Sequence, residues 1–389
     1  MDNFKKQAWA FVVLMGIVSL FADITYEGAR SIYGPFLNSF GTSATVVGFI
    51  AGMGELIGYG LRLFSGILAD RTKKYWIITF IGYFINLVAI PMLAIAGNWQ
   101  FAAILIVLER TGKAIRNPAR DVMLSHAASF VGHGKSFGIH EALDQIGAIT
   151  GSLFVGISYT LTNNFSKTFA FLAIPATFAI ITLLIARINF PTTKELEIKN
   201  ITKLKNIELK KFFWLYLLAT AFIAIGFADY PLIAYHFSKN NIVKTNLIPV
   251  LYAGAMGIDA IAAIIMGRFF DKYGIKTLIL STIISLFFAP LAFWGKNFLV
   301  VILGMICWGI GMAAQESIVR SVLSLILPSD KKGTGFGIFY AVFGLAWFAG
   351  SFFMGWLYEI SLMWIVIFSI TMQLGAIPII LAISNKIKK

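Results

Sequence analysis

Four stretches of this chain carry no charged side chain at all: Trp76 to Gly97, Thr168 to Ala186, Thr277 to Trp294 and Leu362 to Ser384. Each is close to the ~20 residues that a helix rising ~1.5 Å per residue needs to cross a ~30 Å hydrocarbon layer. Buried helices of water-soluble proteins are rarely so long or so uniformly apolar. A length of 389 residues would otherwise suit two or three soluble domains, but 58% of the residues are hydrophobic and only 13% charged. The chain is therefore expected to be a polytopic helical membrane protein. Its first apolar run follows Lys5 and Lys6, starts near Ala8 and continues through Asp23, Glu27 and Arg30 to about Phe40. That is too long, and charged in the wrong place, for a cleavable leader.

Composition narrows the function further. The single Cys307 excludes an intramolecular disulfide and a cysteine-built metal site, and the four histidines show no metal-binding spacing. No cofactor is expected. A net charge of +14 would suggest nucleic acid in a soluble protein. Here it fits the excess of Lys and Arg on the cytoplasmic side of membrane proteins, and no nucleic-acid partner is expected. Gly112-Lys113 lacks the preceding spaced glycine and the following hydroxyl residue of a phosphate-binding loop, so no ATP site is expected.

The hydropathy pattern predicts twelve spans, at about 8–38, 45–69, 76–96, 100–126, 136–160, 168–189, 212–237, 246–270, 276–294, 298–326, 334–358 and 362–384. With the N-terminus inside, the segments on that side hold clusters such as Arg71, Lys73 and Lys74 and the lysines from Lys194 to Lys211. The opposite loops hold only Lys167, Lys239, Lys244 and Lys296. Both termini are thus expected in the cytoplasm, and the protein in the inner membrane. A mixed-charge segment at 191–211 divides the chain into two six-span parts, 1–190 and 212–389.

The two parts look duplicated. GILADRTKK (Gly66 to Lys74) has a counterpart in GRFFDKYGIK (Gly267 to Lys276), with Asp70 and Asp271 201 residues apart. GKSFGIHEALDQIGAITGS (Gly134 to Ser152) aligns without gaps on GTGFGIFYAVFGLAWFAGS (Gly333 to Ser351), at an offset of 199. Parallel repeats of six spans are a transporter architecture.

On these residues the chain resembles the major facilitator superfamily. Gly66, Leu68, Asp70, Arg71 and Lys74 match that family's loop between spans 2 and 3, with Thr72-Lys73 where a glycine is usual. Gly267, Asp271, Lys272, Gly274 and Lys276 form a weaker copy between spans 8 and 9. Arg110 with Gly112 is similar to the family's span-4 arginine motif. Gly147 and Gly151 stand in span 5 without the usual proline. The resemblance implies an all-α fold of twelve transmembrane helices in two pseudo-symmetric six-helix bundles. It also implies alternating-access transport rather than catalysis.

The charge map points the same way without the family. Spans 3, 6, 9 and 12 have no ionisable group in their central parts, whereas spans 1, 4, 7 and 10 all carry some. Lipid cannot solvate such groups, so they must face protein or a wet cavity. Asp23, Glu27 and Arg30 fall on one helical stripe, as do Glu109, Lys113, Arg116 and Arg120. Carboxyls held out of water are natural proton carriers. The expected coupling acids are Asp23, Glu27, Glu109, Glu141, Asp144 and Asp229. The expected substrate-binding residues are Arg30, Arg110, Lys113, Arg116, Glu55, Arg62 and Glu316, and an Arg or Lys among them suits an anionic group. Asp70, Arg71, Arg120, Asp271 and Arg320 are expected at a cytoplasmic gate, with Asp70 and Arg120 in one network. Pro118 and Pro231 each remove a backbone donor and should break or loosen spans 4 and 7.

The reading that follows is a monomeric, proton-coupled secondary active transporter that carries a small polar solute or ion through the lipid bilayer. Its competitors are a uniporter, a proton-driven exporter of drugs or metal ions, an intramembrane enzyme and a transporter-like receptor.

Overall fold

The computed structural model describes residues 2–191, 211–326 and 332–387. The segment expected to link the two six-span parts lies, apart from its two end residues, outside the described residues. No strand occurs among those described. The helices are α1 (Asp2–Arg30), α2 (Tyr33–Ser39), α3 (Ala44–Thr72), α4 (Tyr75–Met92), α5 (Trp99–Val131), α6 (His133–Thr162), α7 (Phe165–Phe171), α8 (Ala173–Asn189) and α9 (Lys211–Ile225). They continue as α10 (Tyr230–Lys239), α11 (Ile248–Tyr273), α12 (Lys276–Ser285), α13 (Phe288–Phe293), α14 (Phe298–Ala313), α15 (Val319–Ile326), α16 (Lys332–Ile360) and α17 (Leu362–Ile387). Several of them join end to end, so that the described helices trace the twelve expected passages. Ten passages are long and apolar enough to cross a membrane. The other two are α5 and α6, 33 and 30 residues long and more polar.

Two compact units organise the contacts. One comprises Met1–Ser31 with Ile57–Thr202, the other Ile32–Leu56 with Lys203–Lys389. Residues 32–56, which precede the divide between the two sequence repeats, therefore pack in the second unit.

Glycines set the helix crossings inside each unit. In the first, a Cβ on Gly147 or Gly151 of α6 would collide with the α1 backbone at Leu20 and Ile24. Gly112 of α5 lies as tightly on α4, against Asn86 and Gly82. In the second unit, Gly48 and Gly52 of α3 lie against Ser351 and Phe348 of α16. Small residues four apart let helix backbones approach closely enough to gain dispersion energy, which membranes favour because lipid offers no hydrophobic drive between helices.

The duplication is visible in these contacts. Gly350 of α16, 199 residues after Gly151, meets the backbone of α9 at Ile225 much as Gly151 meets α1. Gly311 of α14, 199 after Gly112, abuts Ser285, which is 199 after Asn86. Even a helix cap recurs. Asn98 accepts a hydrogen bond from the Phe101 amide at 2.8 Å, and Asn297 accepts one from the Val300 amide at 2.9 Å. These side chains satisfy amide donors that a helix start leaves open.

Candidate functional site

In the first unit, α1, α4, α5 and α6 bring most of the predicted charges together. Span 4 contributes the largest share because its helix repeats charge along one stripe. Glu109 is only 1% exposed. Its Oε1 accepts a hydrogen bond from Asn86 Nδ2 at 2.8 Å, and its Oε2 lies 3.3 Å from Arg110 Nε. One turn further along α5, Lys113 Nζ reaches Glu27 Oε1 on α1 at 3.4 Å, and Arg30 approaches the same carboxylate at 3.8 Å. Further along, Arg120 pairs with Asp121 at 2.8 Å and donates to Ser19 Oγ at 3.4 Å. On α6, His140 Nε2 lies 3.8 Å from Asp144 Oδ2. Removing one partner from a buried pair costs about 3–5 kcal/mol, because the other charge is stranded.

Arg116 is different. It is fully buried, and none of its three guanidinium nitrogens has a hydrogen-bond partner. The guanidinium instead lies on two aromatic faces, 4.2 Å from the centre of the Tyr83 ring and 5.6 Å from that of Tyr26. Lys113 shares the Tyr26 ring at 4.0 Å. Asp23 on α1 is 4% exposed and its Oδ1 also lacks a partner.

The prolines act as expected on donors but not always on shape. α5 stays continuous through Pro118. The carbonyl of Ala114, which an amide at position 118 would have bonded, accepts the Ser65 hydroxyl of α3 at 2.7 Å instead. That hydrogen bond meets the carbonyl that the proline leaves open, at the place where the sequence predicts a loosened helix. Span 7 does break, between Ile225 and Tyr230, with Asp229 capping α10 through the Tyr230 amide at 2.9 Å. The exposed carbonyls are met by other helices. Gly226 O accepts from Ser369 Oγ and Gln373 Nε2, and Ala228 O from Trp308 Nε1.

Other predicted residues lie elsewhere. Glu141 is exposed, since it sits about 100° around α6 from the face that His140 and Asp144 share. Asp70, Arg71, Asp271 and Arg320 are exposed. The expected Asp70–Arg120 network is not made: Arg120 turns to its neighbour Asp121 and to Ser19, inside the helix bundle. Arg62 lies over the Tyr59 ring at 5.1 Å. Glu55, Asp229 and Glu316 belong to the second unit. Glu316 falls in a π-helical turn, Ala314–Ile318, between α14 and α15. Such turns often occur at functional sites.

Sequence reasoning missed that turn, and it missed Tyr26, Tyr83 and Asn86. A signal existed for part of this: Thr79, Tyr83 and Asn86 stand at i, i+4 and i+7, a polar stripe on an otherwise apolar span. Among the described residues, no group of three or more His, Cys, Asp or Glu side chains could hold a metal ion.

Multiple long apolar helices with buried, paired charges define an integral membrane protein built to hold polar groups out of lipid. The sequence model of the Major Facilitator Superfamily matches residues 15–258 and 230–385, and the chain belongs to that family. It is a membrane transporter of small molecules, not an enzyme. It is 39% identical over 382 residues to an uncharacterized protein of Mycobacterium tuberculosis, covering 97% of this chain and 93% of that one. It is 27% identical over 366 residues to an uncharacterized MFS-type transporter of Methanocaldococcus jannaschii, covering 90% and 89%. In fold it is similar to a mutant of the nucleoside transporter NupG, with a TM-score of 0.76 at 12% identity, covering 95% of this chain and 99% of that one.

Proposed function

We propose that this chain is a proton-coupled secondary transporter, working by alternating access, for a small polar solute that carries an anionic group. It sits as a monomer in the inner membrane with both termini in the cytoplasm, and its two six-span halves exchange access to the solute. The observation that carries this reading is the pairing of Glu109. A carboxylate held out of water between Asn86 and Arg110 has one donor that stays and one cation that can leave. Its protonation would release Arg110, which links proton uptake to a change in the helix contacts of span 4. Glu27 stands in the same position toward Lys113 and Arg30.

The test begins with a thermal-shift screen of polar solutes on the purified protein. The solute that stabilises it is then offered to proteoliposomes with and without an imposed pH gradient. Accumulation that requires the gradient supports coupling. Equilibration at the same rate with or without it marks a uniporter, and loss of solute from the side that receives protons marks an exporter.

A further inference from the structure

The cations of span 4 are not equivalent. Arg110, Lys113 and Arg120 each face a carboxylate within 4 Å, at 3.3, 3.4 and 2.8 Å. Arg116 faces none, and its guanidinium is fully buried with all three nitrogens unpartnered. The Asp23 and Asp144 carboxylates act on Arg116 only from beyond ion-pair distance, and a buried guanidinium whose N–H donors are all unmet is a costly arrangement. The rings of Tyr83 and Tyr26 offset part of that cost through their negative faces, but a cation–π contact satisfies no N–H donor. The Tyr83 hydroxyl and that of Thr79, one turn away on α4, are both fully buried and also lack hydrogen-bond partners.

A second feature points the same way. Lys113 and Arg116, one turn apart on α5, both lie over the Tyr26 ring, at 4.0 and 5.6 Å from its centre. Two like charges sharing one ring repel each other, and Glu27 offsets this on the Lys113 side only, at 3.4 Å. The side chain of Lys113 is 19% exposed while Arg116 is fully buried. Lys113 is therefore the cation nearer to water and Arg116 the inner one.

From this geometry we infer that Arg116 is the anion-binding residue of the transporter. It takes a carboxylate or phosphate oxyanion in its planar fork, with Lys113 as the outer guide and the Thr79 and Tyr83 hydroxyls as further donors. A guanidinium binds such groups through two parallel, charge-assisted hydrogen bonds, and away from water these are strong. The inference rests on the transport reading for the anion's origin, namely a group on the carried solute.

Equilibrium binding separates the two ideas, because it needs no flux. The full-length protein, purified in detergent, is unfolded thermally in rising sodium acetate or sodium phosphate, with sodium chloride at equal ionic strength as the reference. The wild type should show a saturable stabilisation by at least one of the two anions over chloride. Response to acetate alone assigns a carboxylate, and response to phosphate assigns a phosphoryl group. Arg116→Gln should raise the half-saturating concentration about thirty-fold or more, the scale of losing a buried charge-assisted partner. Arg116→Lys, which keeps the charge and guards against misfolding of the first variant, should weaken binding less. Lys113→Gln should weaken it least. An anion response in Arg116→Gln equal to the wild type overturns the inference, as does a wild type that answers neither anion. If binding behaves as expected but no solute is carried, the transport reading fails and the anion site stands.

Discussion

Glu109 shows what burial demands of a single side chain. A carboxylate placed near a helix centre costs about 2.5–3.5 kcal/mol on insertion scales, so it persists only with partners. Asn86 supplies the neutral one, bonding both the Glu109 side chain at 2.8 Å and its backbone carbonyl at 3.1 Å. Asn86→Leu should lower the protein's stability by about 1–3 kcal/mol, the cost of leaving a buried acceptor unmet. Chemical denaturation of the purified variant beside the wild type checks this, and equal stability would mean that Asn86 contributes nothing to Glu109. The positions of Glu109, Lys113, Arg116 and Arg120 on one face were legible from their spacing alone. Their pairing was not, because spacing fixes the direction in which a side chain leaves its own helix and says nothing of what the next helix offers. Glu141 shows what spacing does fix: its angle on α6 turns it away from the buried face that His140 and Asp144 share.

Among elements, the broken span 7 is the most informative. Pro231 marked the break in the sequence, since it can neither donate a backbone hydrogen bond nor continue a helix without a clash. The partners that make the break tolerable come from α14 and α17, far along the chain, and no local pattern announces them. Trp308 donates to Ala228 O at 2.9 Å while its ring packs on Phe227 with centroids 5.7 Å apart. Trp308→Phe keeps much of the ring contact and loses the donor. It should cost about 1–2 kcal/mol and loosen the 226–229 segment. Hydrogen exchange at the amides of that segment should rise in the variant, and unchanged protection would show that the bond is dispensable. Pro118 carried the same sequence signal, yet α5 is continuous through it, with Ser65 donating to the freed Ala114 carbonyl. The π-helical turn at Ala314–Ile318 had no signal in the sequence reading.

Across the whole molecule, the repeat was the strongest sequence evidence for architecture, and the glycine crossings give it a physical basis. Gly151→Val and Gly350→Val should each reduce folded yield sharply, because the added side chain meets backbone that cannot move aside. Gly58→Ala, where nothing lies within 4 Å, should be tolerated. Fluorescence size-exclusion profiles of the three variants decide this, and a monodisperse Gly151→Val would contradict the crossing. Orientation was argued from charge alone. Cysteines at Asn98, Asn163 and Lys296 in a Cys307→Ser background should react with membrane-impermeant maleimide from outside, and those at Thr72, Lys203 and Lys331 only after permeabilisation; the inverse pattern would reverse the topology. The coupling proposal itself is tested most directly by Glu109→Gln in proteoliposomes, with solute exchange and pH-driven accumulation measured on the same preparation. Exchange should persist, because Asn86 can still hydrogen-bond the amide oxygen, while accumulation against the solute gradient is lost. Accumulation retained with the wild-type dependence on the pH gradient would contradict the assignment of Glu109 as the coupling acid.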